Sequence, residues 1–247
     1  MNCRRILFLL IALSLLALPM TAAPPPAAVP GLLPLNAKDL STPMQIIILM
    51  TALTLLPAII MSITPFLRIS IVLHFLRQAL GTQSTPSNQV LVGMALFLTM
   101  VLIQPLASQI YKEAWQPMEA GQLSGPQAWE TGSKPLKVYL SRFVREKDVQ
   151  LFLDITHAPR PRTPADLELT VLAPAYILSE MRSGFQIGAV LFLPFLLIDI
   201  IVASVTLSIG MVQLPPVMVS APFKILLFVL VDGWNLTIGS LMKSFYA

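Results

Sequence analysis

Charge is scarce in this 247-residue chain: Asp, Glu, Lys and Arg make up 11% of it, where soluble domains carry about a quarter. That scarcity excludes an ordinary cytosolic enzyme. The one cysteine, Cys3, lies in an N-terminal apolar leader, so the mature chain has neither a disulfide framework nor a cysteine-based zinc site. Histidine occurs only at His74 and His157, which leaves most hydrolytic and metal chemistries without their usual parts. No Gly-rich phosphate cradle and no serine elbow is present. Sixteen basic residues face twelve acidic ones, and the excess falls to fourteen against twelve once Arg4 and Arg5 are set aside with the leader. The pI of 9.4 is therefore no signal for nucleic acid. What abounds is apolar, at 55% of positions and a mean hydropathy of +0.77. The expectation is a membrane-inserting or pore-forming structural protein, not an enzyme, with no cofactor and no metal.

Residues 1–23 read as a secretory signal peptide: Arg4 and Arg5, an apolar core from Ile6 to Leu18, the helix-breaking Pro19, then the small residues Thr21, Ala22 and Ala23. The other reading is an uncleaved first helix. Residues 24–43 form a Pro/Ala-rich linker, a composition that favours an extended chain. From Leu40 to Leu67 there is no charge in 28 positions, enough to cross about 30 Å of hydrocarbon. A second uncharged run, Gln78 to Tyr111, contains the turn signal Gly81 to Pro86 and the apolar stretch Val90 to Ile103. Residues 44–111 are thus expected to form a first helical hairpin, and Phe185–Ile209 with Val217–Leu241, broken at Leu214-Pro215-Pro216, a second one over 185–247.

Between the hairpins, residues 112–184 change character. The stretch from Tyr111 to Arg182 holds nine basic and nine acidic residues, so it is solvated and neutral. Leu136, Leu140, Phe143 and Val144 recur at helical spacing, as do Val149, Phe152, Leu153 and Thr156. The fold class that results is all-α: a membrane protein of two long apolar hairpins with a small helical subdomain inserted between them. Positive-inside counting places Arg68 and Arg77 on the cytoplasmic side and exports residues 112–184. Tyr139, Phe143 and Phe152 are expected to pack that exported subdomain or to join neighbours across it.

Four charges interrupt or flank the apolar C-terminal half. Asp199 sits deep in Phe195–Val202, Asp232 follows Leu230-Val231, and Lys224 and Glu180 lie nearby in sequence. A carboxylate at a helix centre in lipid costs about 2.5–3.5 kcal/mol, so such groups face partners, water or the bundle interior. Asp199 and Asp232 are read as buried polar anchors, with interface-marking helix ends as the bland alternative for Glu180 and Lys224. An intramembrane aspartyl dyad is a third possibility, but Asp232 is followed by Gly-Trp and lacks a glycine-flanked setting. Gly184 and Gly188 match the small-xxx-small packing pattern. Met211 follows Gly210 just before the Pro215-Pro216 break, where irregular backbone at membrane depth is tolerated only if it is buried in protein or lines a cavity. A deformable side chain there can seal against ions and still yield to a polypeptide.

The runs Thr64-Pro65-Phe66-Leu67-Arg68-Ile69, Leu76 to Gln83 and Asn88 to Thr99 closely resemble the FliP family of flagellar type III export-gate proteins. So do Ser179-Glu180-Met181, Gly184 to Gly188, Leu193 to Asp199, Leu214-Pro215-Pro216 and Pro222 to Trp234. The resemblance covers the chain from about Leu40 onward. It implies a homo-oligomer, of five copies, assembled with FliQ and FliR partners in the bacterial inner membrane at the flagellar basal body, passing unfolded flagellar proteins and touching membrane lipid. It also implies a spiral of helices lying largely above the membrane plane; the periplasmic side for residues 112–184 comes from the charge counting above. Met211, Val212 and Gln213 would form the constriction, although members often carry more methionine where Val212 and Gln213 stand. Glu180 and Lys224 would form an ion pair between subunits. The related injectisome gate subunit and a multispan small-solute transporter are the alternatives; the leader and the Arg77–Gln83 run resemble the flagellar branch more closely.

Overall fold

The computed structural model describes residues 41–246 except residues 83, 160, 162, 164, 165 and 212–214. The signal peptide and all but the last residues of the linker lie outside them. The described residues are helical, with no strand among them. In chain order the helices are α1 (Thr42–Ser62), α2 (Phe66–Ala79), α3 (Asn88–Ile110), α4 (Gln116–Glu119), α5 (Gly125–Phe143), α6 (Glu146–Thr156), α7 (Leu169–Ser208), α8 (Pro216–Leu230) and α9 (Gly233–Lys243), with a π-helical turn, Tyr111–Trp115, joining α3 to α4.

Helix α2 is the centre of the molecule. It starts after Thr64-Pro65, where the proline ring suits a helix entrance and ends the preceding helix. Its apolar residues follow the 3.6-residue period, and Ile69, Val72, Leu73, Leu76 and Ala79 are all buried. One stripe packs with Leu91, Ala95 and Leu102 of α3 and with Leu241 and Phe245. Its C-terminal end packs with Phe195 of α7 and Phe228 of α8. Most of this helix lies between the uncharged runs Leu40–Leu67 and Gln78–Tyr111 of the expected first hairpin, where counting uncharged positions gives no sign of a short amphipathic helix. The close crossing of α2 and α7 depends on glycine: a Cβ at Gly184 would lie 3.1 Å from Ile71, and one at Gly188 only 2.5 Å from the Phe75 ring.

Helix α7 is 40 residues long, about 60 Å. It begins in the charged subdomain and continues unbroken through the apolar segment, so Glu180 and Arg182 do not end a helix as the expected boundary at 184 implied. Among the described residues three helices are long and apolar enough to cross a membrane, Thr42–Ser62, Asn88–Glu119 and Leu169–Ser208. The pair α8 and α9 makes a fourth if counted together, although it bends by 68°. At that bend Asp232 adopts φ 51° and a Cβ on Gly233 would lie 2.2 Å from the Phe228 ring, so glycine is required there.

The inserted subdomain is built from α5, α6 and the start of α7. A capping box starts α5, in which the Ser124 backbone N–H donates to Gln127 Oε1 at 2.9 Å. Glu146 and Asp148 occupy the first turn of α6, where carboxylates favour the helix N-terminus. Leu140, Leu167, Val171, Leu172 and Tyr176 form its core, and Tyr139, Phe143 and Phe152 pack against them. Tyr139 also meets Phe143 edge-on with centroids 5.2 Å apart. Burial, and secondarily the Glu180 carboxylate, push the Tyr139 phenol above its ordinary range.

Candidate functional site

Three polar clusters sit within this apolar framework. The first joins α2 to α7. Arg68, 5% exposed, presents its guanidinium fork to Glu180, which is 0% exposed. Nε donates to Oε2 at 2.9 Å and Nη2 to Oε1. Nη1 donates to the Ser244 carbonyl at 3.3 Å and its hydroxyl at 3.2 Å. The Phe245 ring lies 4.2 Å from the guanidinium carbon and completes the enclosure with a cation–π contact. Such bidentate geometry is the arrangement in which a buried charge is best matched.

The second cluster ties α6 to α7 and fastens the subdomain. Asp148, 2% exposed, accepts the Ser179 hydroxyl at 2.7 Å. Ser179 Oγ in turn accepts the Arg145 backbone N–H at 3.0 Å. Arg182 approaches Asp148 Oδ1 at 3.3 Å, and Arg145 Nη2 donates to Gln186 at 2.6 Å. The third cluster joins α7 to α8: Lys224, 1% exposed, donates to Asp199 Oδ2 at 2.6 Å, and the Ser220 hydroxyl donates to Asp199 Oδ1. The loop glycine Gly81, at φ +73°, folds against this corner, where a Cβ would lie 3.9 Å from Lys224 Nζ.

These partners redistribute the expected roles. Within the chain Glu180 and Lys224 do not meet each other: Glu180 is matched by Arg68 and Lys224 by Asp199. Asp199 is half-buried and doubly bonded, to Lys224 and Ser220. Asp232 is exposed rather than buried; it lies in the α8–α9 bend and accepts Asn235 Nδ2 at 3.1 Å. The two aspartates are thus engaged by different partners. Arg68, expected at the cytoplasmic end of a span and not as a site residue, is instead bonded directly to Glu180 of the 112–184 segment, so the two do not lie on opposite sides of a membrane; the partner is 112 positions away in sequence. Asp148, Ser179 and Ser220 were likewise missed. The only signal for Arg68 was its place on the apolar stripe of α2.

Met211 is 42% exposed. It follows Gly210, at φ +81°, and its N–H donates to the Thr206 carbonyl at 3.0 Å. The helix therefore ends in a tight turn that turns this side chain outward. Val212 and Gln213 lie outside the described residues.

The FliP family model matches residues 49–241, a span that includes the Arg68–Glu180 pair of the first cluster, the second and third clusters and the Gly210 turn. The flagellar biosynthetic protein FliP of Bacillus subtilis is 46% identical over 210 residues, covering 85% of this chain and 95% of that one. FliP of Pectobacterium carotovorum is 44% identical over 225 residues, 90% of this chain and 87% of that one. FliP of Cereibacter sphaeroides is 47% identical over 203 residues, 82% and 67% respectively. With a match that extends through most of its length and through every buried ion pair described above, this chain belongs to the FliP family.

Proposed function

We propose that this chain is a non-enzymatic, pore-forming subunit of the flagellar type III protein export gate in the bacterial inner membrane. Copies of it, five by the family resemblance, assemble with FliQ and FliR, and unfolded flagellar proteins pass through the pore. Residues 112–184 lie on the periplasmic side. Family membership over residues 49–241 carries the reading. It is supported by the outward apolar faces of the chain, since α1 buries none of its residues against the rest of the molecule and an assembly gives them neighbours. Met211, with Val212 and Gln213, closes the passage, and the turn after Gly210 supports that role by presenting Met211 away from its own helix.

Native mass measurement of the detergent-extracted complex tests the assembly. A mixed multi-subunit particle is expected, and a lone chain that binds a small solute would favour the transporter instead. For the seal, Met211→Ala in a reconstituted gate should raise ion conductance; unchanged conductance would remove Met211 from the constriction.

A further inference from the structure

The hydroxyl of Tyr176 is buried without a match. Tyr176 is 0% exposed in the core of the inserted subdomain, and among the described residues its Oη is the one buried side-chain polar atom that makes no hydrogen bond. Buried hydroxyls are nearly always bonded, to protein or to ordered water, because an unmatched one bears the full loss of its hydration.

Its surroundings are polar on one side. Tyr176 stands one helical turn before Glu180 on α7, and the ionisable groups that act on its hydroxyl are Glu180, Tyr139 and Arg68. The Tyr139 side chain packs against it, and the two phenols approach with no hydrogen bond between them. Glu180 has acceptor capacity left over: a carboxylate offers about four lone-pair sites, and Arg68 takes one on each oxygen. A groove of about 1080 Å³ between the C-terminal half of α3, α5 and the residues after α9 reaches the edge of this cluster, since Tyr139, Arg68 and Ser183 all line it. A buried water needs two to four polar partners and room to enter. Both are supplied here.

We propose that the inner end of this groove is a binding site for a single ordered water molecule, which accepts the Tyr176 hydroxyl and donates to Tyr139 Oη and to an unused lone pair of Glu180. One small neutral molecule fits the electrostatics: the Arg68 guanidinium repels a cation and the Glu180 carboxylate repels an anion. The water joins α5 to α7 beside the Arg68 pair, so that the subdomain and the ion pair form one hydrogen-bonded network. A direct bond between the phenols would satisfy Tyr176 but leave Glu180 outside that network. The site is independent of the export reading.

The test uses the full chain with variants that keep the ring and remove the hydroxyl. Tyr176→Phe should raise the unfolding constant of the detergent-solubilised chain about fivefold, the weight of one net hydrogen bond. A gain in stability would show an unmatched hydroxyl and overturn the proposal. Tyr139→Phe should raise that constant by a similar factor, and the double variant by less than the product of the two, because both singles disrupt the same water; two independent factors that multiply would overturn it as well. A density map that resolves ordered water separates the bridge from a direct contact. A peak within about 3 Å of Tyr176 Oη, Tyr139 Oη and a Glu180 oxygen is expected, and phenols bonded to each other with no such peak would overturn the site.

Discussion

Arg68 carries a fixed charge in an apolar interior, and its guanidinium donates two hydrogen bonds to Glu180 and two to Ser244 with Phe245 over the face. Removing one member of a buried pair leaves the other unmatched, at a cost of about 3–5 kcal/mol, whereas replacing both by apolar residues is often neutral. Glu180→Ala should therefore lower the unfolding free energy of the detergent-solubilised chain by that amount, and Arg68→Met with Glu180→Met should recover most of it. A partner exchange separates the two pairings of Glu180. Arg68→Glu with Glu180→Arg should restore assembly lost in either single variant, while Glu180→Lys with Lys224→Glu should not, because Lys224 already faces Asp199; rescue by the second exchange would argue for a contact between subunits. Tyr139 gives a pH dependence. Its folded phenol ionises above the unfolded value near pH 10, so its contribution is complete below that pH and fades as pH rises beyond it. Tyr139→Phe should flatten the alkaline loss of subdomain stability, read by near-ultraviolet circular dichroism. At this scale the sequence showed that Glu180, Asp199 and Lys224 needed partners, because charge in an apolar run always does. It could not show which partners, since Arg68 and Glu180 meet across 112 positions.

The crossing of α2 and α7 tests the fold at the level of elements. Gly188→Ala places a Cβ 2.5 Å from the Phe75 ring, an overpacking worth about 1–3 kcal/mol. The destabilisation should be visible in a thermal melt, and a further Phe75→Leu change should relieve it; a melt unchanged by Gly188→Ala would show that the helices can separate at no cost. The small-residue spacing at Gly184 and Gly188 was legible beforehand, as were α5 and α6, whose apolar residues keep a helical period amid charge. Helix α2 was not, although its period is as regular, because it is flanked on both sides by runs that are uncharged for another reason. The start of α7 was obscured by a similar effect. Charge at Glu180 and Arg182 looks like the edge of a span, yet the backbone is indifferent to it and the helix continues from Leu169 to Ser208.

Seen as a whole, the chain has its best packing around α2 and its poorest around α1, all of whose described side chains are at least partly exposed. Such a helix takes its surroundings from outside the chain. A cysteine replacing Leu53, 60% exposed, in a Cys3→Ser background should react with a membrane-permeant maleimide in the isolated chain and be protected in the assembled particle; equal labelling in both would place α1 against lipid. The long reach of the Arg68–Glu180 pair has a temporal side as well. A ribosome adding roughly 5–20 residues per second takes on the order of ten seconds to make the 112 residues between them. For that interval a nascent Arg68 has no carboxylate to receive it, and entry into the hydrocarbon alone would be opposed by about 2.5–3.5 kcal/mol. The buried pairing that fixes α2 against α7 can therefore form only after Glu180 has been made.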